Sequence, residues 1–174
     1  MGYAGYGYRQ FNLPHKVEMG WVPTLRIQTV TADGTYIISR LEDNINPGEP
    51  QVLKIFKADS NEYYYLGYRS PIGYDLNLQN QYKDQTNVHR WGGVGGTFTY
   101  SLDALADLES FADQTNGITI TQKSHDISRS YVSVSFTVFN VVFPVLVTST
   151  ETFEDSLVLM ISFSSRGWLY LNVV

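Results

Sequence analysis

Residues 117–139 read GITITQKSHDISRSYVSVSFTVF. Ile118 and Ile120 alternate with Thr119 and Thr121, and Val132, Val134, Phe136 and Val138 alternate with Ser133, Ser135 and Thr137. A period of two sends apolar side chains to one face and hydroxyls to the other, which is the pattern of a half-buried strand. Ser124-His125-Asp126 lies between the two runs and reads as a turn. It cannot be a catalytic triad as a tripeptide, because adjacent side chains on a strand point to opposite faces.

The same signal recurs upstream. Leu25, Ile27 and Thr29 alternate with Arg26 and Gln28, and Asp33-Gly34 is a hairpin turn signal that would return the chain through Tyr36-Ile37-Ile38. Residues 42–50, EDNINPGEP, form a polar loop. Val52–Phe56 and Glu62–Arg69 read as strands joined by a turn at Ala58–Asn61, and residues 70–85 as a second polar loop. Thr86–Trp91 and Thr97–Leu102 flank the turn Gly92–Gly96. Leu102, Leu105, Leu108 and Ala112 have roughly helical spacing, so residues 102–112 are the helix candidate. Many short strands separated by turns, with at most one short helix, predict a mostly β chain folded as an antiparallel β-sandwich.

The organisation follows. Residues 1–23, rich in Gly, Tyr and Pro, form a loop-rich lead-in with a short turn around His15–Trp21. Residues 24–138 form the sandwich-like domain, and residues 139–174 an apolar tail expected to form strands. Residues 131–147 carry no charge, but period two, with Asn140 and Pro144, favours buried or edge strands over a spanning helix of about 20 apolar residues.

Composition narrows the chemistry. Among 174 residues, 43% are hydrophobic and 17% charged, enough apolar material for a core. The net charge of −5 and the scattered Lys and Arg disfavour nucleic acid and an acidic membrane surface. The absence of cysteine excludes disulfides, thiolate metal sites and thiol nucleophiles. The N-terminal MGYAGYGYR lacks the apolar stretch of a signal peptide.

Candidate sites are sparse. His15, His89 and His125 are far apart, and no pair has HExxH spacing. Asp43–Asn46 and Asp75–Asn80 are rich in oxygen ligands. The second starts like a calcium loop but has Asn80 and Thr86 where such a loop needs Gly and Glu. Gly92–Gly96 is followed by Thr97-Phe98-Thr99-Tyr100, a strand rather than the Lys and helix of a phosphate loop. No catalytic or metal residue is therefore assigned. The Tyr63-Tyr64-Tyr65 run with Tyr68 could form an aromatic platform, with Tyr64 and Tyr68 on one face as ligand contacts.

Three stretches, in order and spacing, resemble the gametolysin-like zinc metalloproteases in the region that follows their zinc-binding helix. The first is Met1-Gly2, Phe11–Lys16 and Met19-Gly20-Trp21. The second is Tyr63–Asp75 with Val88-His89-Arg90. The third is Ser110–Asp113 with Asn116–Thr121. The resemblance covers about residues 1–136. It implies that Met1 corresponds to the methionine of the turn beneath the metal, and that residues 11–21 lead out of a catalytic domain. Zinc would belong to a longer parent, since the ligands and the glutamate that activates water are not in this chain; this polypeptide alone is not expected to be a protease. It further implies an extracellular setting and an upstream catalytic domain as partner. The alternative expectation is a stand-alone extracellular module binding glycans or matrix proteins.

Overall fold

In the computed structural model the described residues are 11–42, 45–93 and 98–137, together with the backbone of residues 159–163 and 169–173. The chain divides into two compact units, Met1–Phe136 and Thr137–Val174.

The alternating stretches of the first unit form strands β1 (Ile27–Val30), β2 (Gly34–Ser39), β3 (Val52–Lys57), β4 (Glu62–Arg69), β5 (Gln85–Trp91), β6 (Tyr100–Leu105), β7 (Ser110–Asp113), β8 (Ile118–His125) and β9 (Arg129–Phe136). They build a five-stranded sheet, β1-β3-β4-β5-β6, and a four-stranded sheet, β2-β9-β8-β7. Every pairing is antiparallel except β1 with β3. The architecture is the mostly β, sandwich-like fold expected. Between the sheets lies an apolar core built on Ile38, Leu53, Leu66, Val88, Ile120 and Val132.

Two local expectations are corrected. Asp33-Gly34 does not close a hairpin, because β1 and β2 belong to different sheets. A two-residue type I′ turn needs positive φ at both central residues, and neither Asp33 nor Gly34 has it. Instead Asp33 Oδ1 accepts a hydrogen bond from the Phe136 N–H at 2.8 Å, tying the sheet crossover to the end of β9. Residues 102–112 are not a helix but the end of β6, a corner, and β7. Of the three leucines only Leu105 is buried, while Leu108 is 76% exposed and has φ 68°. The left-handed backbone there turns the chain from one sheet to the other.

The α-helix sits where a loop was expected. Helix α1 (Leu13–Glu18) begins at Asn12, whose side chain accepts from the His15 N–H at 3.1 Å, and carries Pro14 in its first turn. It ends at Gly20, with φ 68°. The Gly20 N–H donates to Val17 O at 3.1 Å and the Trp21 N–H to Lys16 O at 2.9 Å, a Schellman stop. α1 lies on the outer face of the five-stranded sheet. There Leu13, Val22 and Leu41 pack with Tyr65 and Trp91. Gly67 makes this approach close: a Cβ on it would lie 2.8 Å from Leu13 Cδ2 and 2.9 Å from Leu41 Cδ1. Residues 11–22 of the lead-in thus pack as part of the first unit.

In the second unit, β10 (Leu159–Phe163) and β11 (Leu169–Val173) pair antiparallel, with Leu159 opposite Val173 and Phe163 opposite Leu169. Among the described residues no helix is long and apolar enough to cross a membrane.

Candidate functional site

Two places gather chemistry in the first unit. One is buried beneath α1 and the other opens between the sheets.

Beneath α1, the odd-numbered residues of β4 face the helix. Arg69, at the end of that row, grips Asp75 with both arms, Nε to Oδ2 at 2.9 Å and Nη2 to Oδ1 at 2.6 Å. Asp75 is fully buried, in a short 3-10 turn, Gly73–Asp75, that follows Ser70-Pro71. Burial of an ion pair is tolerable only with such bidentate geometry. Lys16 reaches in from α1, and its Nζ donates to Leu41 O at 2.8 Å. Burial pulls the Lys16 ammonium below its ordinary value, with Glu42 and Asp75 partly offsetting.

Glu42 completes the group. Its Oε1 accepts from the Ser70 N–H at 3.2 Å. Burial, and then the Asp75 carboxyl beside it, push the Glu42 carboxyl up to about 8. With both carboxyls ionised neither could donate. Burial and the neighbouring carboxyl together favour a proton on Glu42. His89, on β5 under the same helix, is driven down to about 4, first by burial and then by Arg69. Its Nδ1 and the Ser70 hydroxyl are buried without a hydrogen-bond partner. The arrangement is an acid pair clamped by arginine, with Asp75 and Lys16 buried and Glu42 and Arg69 half-buried. It can hold a proton and fasten α1 to the sheet.

The second place is a cleft of about 470 Å³ between β6 and β7, at the open side of the sandwich. Lys57 and Asp59 form an ion pair on one wall. Arg90 lies 3.4 Å from Glu62 and stacks over the Tyr100 ring at 4.5 Å. Asp113 is saturated: Oδ1 accepts from the Thr115 and Asn116 N–H groups, and Oδ2 accepts from the Tyr64 hydroxyl and the Asn116 amide, both at 2.6 Å. These donors hold the Asp113 carboxyl below its ordinary value against the opposing effect of burial. Leu102 and Phe111 supply apolar wall.

The residues singled out by sequence fall as follows. Tyr64 and Tyr68 are 2% and 0% exposed, so neither ring is a surface platform. Both point between the sheets, where Tyr64 packs edge-on against Phe111 and reaches the cleft wall. The Tyr68 hydroxyl donates to Asp126 O at 2.8 Å and is sealed. Tyr64 and Tyr68 face the four-stranded sheet, and α1 packs over the opposite face of β4 beside Tyr65 and Gly67. Met1, Asp43 and Asn44 lie outside the described residues. The histidines do not converge: His15 and His89 sit near α1, while His125 ends β8 and pairs with Asp107 at 2.9 Å. Asp75 of the second oxygen-rich loop already has the Arg69 guanidinium as its cation. No group of three His, Asp or Glu able to hold a metal occurs among the described residues.

Sequence reasoning missed Lys16, Glu42, Arg69 and Arg90. Arg69 and Asp75 had a faint signal, single charges bounding a polar turn after an apolar run. Glu42 had none, because its partners come from distant strands. No protein-family model, no curated protein and no solved structure matches the chain.

Proposed function

We propose that this chain is a non-catalytic accessory region of a gametolysin-like secreted zinc metalloprotease, following the catalytic domain and packing against it. The ordered motif set in residues 1–136 motivates the family. The observation that carries the packing role is an apolar surface on the lead-in. Phe11, Met19 and Trp21 are 49%, 42% and 55% exposed, and Phe11 meets Trp21 edge to face at 5.2 Å. Large apolar side chains clustered on one short segment mark a surface that partners another protein body. This is the segment that the resemblance places at the exit of the catalytic domain. The clamp beneath α1 gives the segment a rigid base. In this reading zinc and the water-activating glutamate are the parent's, and the chain contributes rigidity and surface.

The size of the native product in its source cells tests this, by immunoblot against the sandwich with mapping of the transcript 5′ end. A product much larger than 19.7 kDa, encoding HExxH upstream, is the expected result. A native product at that mass would overturn the reading. The isolated chain should also bind a hydrophobic dye, and Trp21→Ser should reduce that binding.

A further inference from the structure

We propose that the free edge of β7, with the cleft beside it, binds an extended polypeptide by strand addition, seating one apolar side chain of the bound segment in the cleft.

Hydrogen bonding gives the direction of the edge. The Leu108 N–H donates to Gln122 O at 2.7 Å and the Gln122 N–H to Glu109 O at 3.2 Å, so the Glu109 carbonyl faces β8. Along an antiparallel strand the main-chain groups alternate sides by residue. Phe111 and Asp113 therefore bond to β8, and Ser110 and Ala112 turn their N–H and C=O groups the other way. The close side-chain pair Ser110 Oγ to Thr121 Oγ1, 2.7 Å, fits the non-hydrogen-bonded position this assigns to Ser110. Among the described residues β7 pairs with β8 alone, and Ala112 lines the cleft. An unpaired strand edge is a template for another strand.

Charge selects the occupant. The cleft's Lys57, Arg90 and Asp113 already face Asp59, Glu62 and the Tyr64 hydroxyl. No cation is left unpaired for an anionic ligand, and the Asp113 oxygens are already occupied by hydrogen bonds. What the cleft offers is main-chain hydrogen bonding and the apolar walls of Leu102 and Phe111, a complement to a neutral, extended backbone with an apolar side chain.

The test is an amide NMR titration of the full chain with the peptide Ac-Thr-Val-Thr-Leu-Thr-Val-Thr-NH2. A second peptide, N-methylated at alternate residues, lacks the donors that would pair with β7. The expected result is shifts at Ser110, Ala112, Leu102 and Thr115, and affinity about tenfold or more lower for the N-methylated peptide. Ala112→Pro deletes an outward-facing N–H and should weaken binding similarly, since proline is tolerated on such an edge. Leu102→Asp, on the opposite wall, serves if the proline variant does not fold. No shifts at millimolar peptide, equal binding of both peptides, or shifts confined to another strand edge would overturn the proposal. The site lies wholly within this chain. A native product of 19.7 kDa would therefore remove the protease reading and leave this one standing, and a peptide that does not bind would do the reverse.

Discussion

Tyr64, Leu66 and Tyr68 turn one face of β4 toward the four-stranded sheet, while Tyr65, Gly67 and Arg69 turn the other toward α1. On the inner side the buried Gln122 amide is fully satisfied. Gln122 Oε1 accepts from the Thr86 N–H, the Thr86 hydroxyl and the Ser130 hydroxyl at 2.7, 2.6 and 3.0 Å. Its amide donates to Asp84 O and Asp107 Oδ1 at 3.2 and 2.9 Å. On the outer side an acid pair, a buried lysine and a buried histidine share one small volume with unpaired polar atoms. The inner side is insulated from pH and fixes the fold. The outer side stores charge and makes the seat of α1 respond to protons.

Substitutions can separate the two. The largest effect belongs to the inner side. Gln122→Ala strands two buried donors, since the Thr86 and Ser130 hydroxyls can still bond each other, and should cost about 3 kcal/mol, with the same loss at pH 6 and pH 8 in urea denaturation. A loss that varied with pH would break the contrast.

Gly67→Val strikes the outer side by overpacking. It must displace Leu13 and Leu41, at a cost of about 1–3 kcal/mol, and should expose Trp91, buried against α1's cluster, in fluorescence. An unchanged midpoint would mean that α1 is not held tightly.

The pH profile sharpens the comparison further. The Glu42 carboxyl, raised from 4.5 to about 8, contributes stability that is full below 4.5 and lost as pH rises through 8. His89, lowered from 6.5 to about 4, contributes stability present above 6.5 and lost as pH falls through 4. Between 4.5 and 6.5 the two slopes oppose and stability should be nearly flat. From 6.5 to 8 the Glu42 slope is no longer opposed by His89, and stability should fall by up to about 2 kcal/mol. Glu42→Gln mimics the protonated acid and should flatten that limb. A wild-type protein with no decline there would remove the acid pair from the account.

The smallest effect is Tyr64→Phe. It deletes one hydrogen bond to Asp113 and should cost about 1 kcal/mol, independent of pH between 6 and 8 because the phenol, raised by burial and then by Asp113, titrates far above that range.

Local pattern carried much of this. The alternation in residues 117–122 and 131–136 sets which side chains of β8 and β9 are buried: Ile118, Ile120, Val132 and Val134 are all inside. The turn at Ala58–Asn61 joins adjacent antiparallel strands, β3 and β4, as read. Leucines at positions 102, 105 and 108 mimicked a helix because a bent strand pair and a helix can repeat with the same spacing over so short a run. The Asn12 cap, Pro14 and Gly20 were sufficient signals for α1, but a six-residue helix has too few turns to show a periodic apolar face.

The sequence by itself determined most of the strands, the inward faces of β8 and β9 and the absence of thiol chemistry, because strand burial follows from a period of two and composition needs no partner. Tertiary structure alone decided that Asp33-Gly34 crosses between sheets, that both faces of β4 are covered, and that Lys16, Glu42, Arg69, Asp75 and His89 meet. Those outcomes depend on pairing between residues far apart in the chain. The energies of long-range contact, burial and charge compensation that select such pairings do not exist until the sheets are assembled.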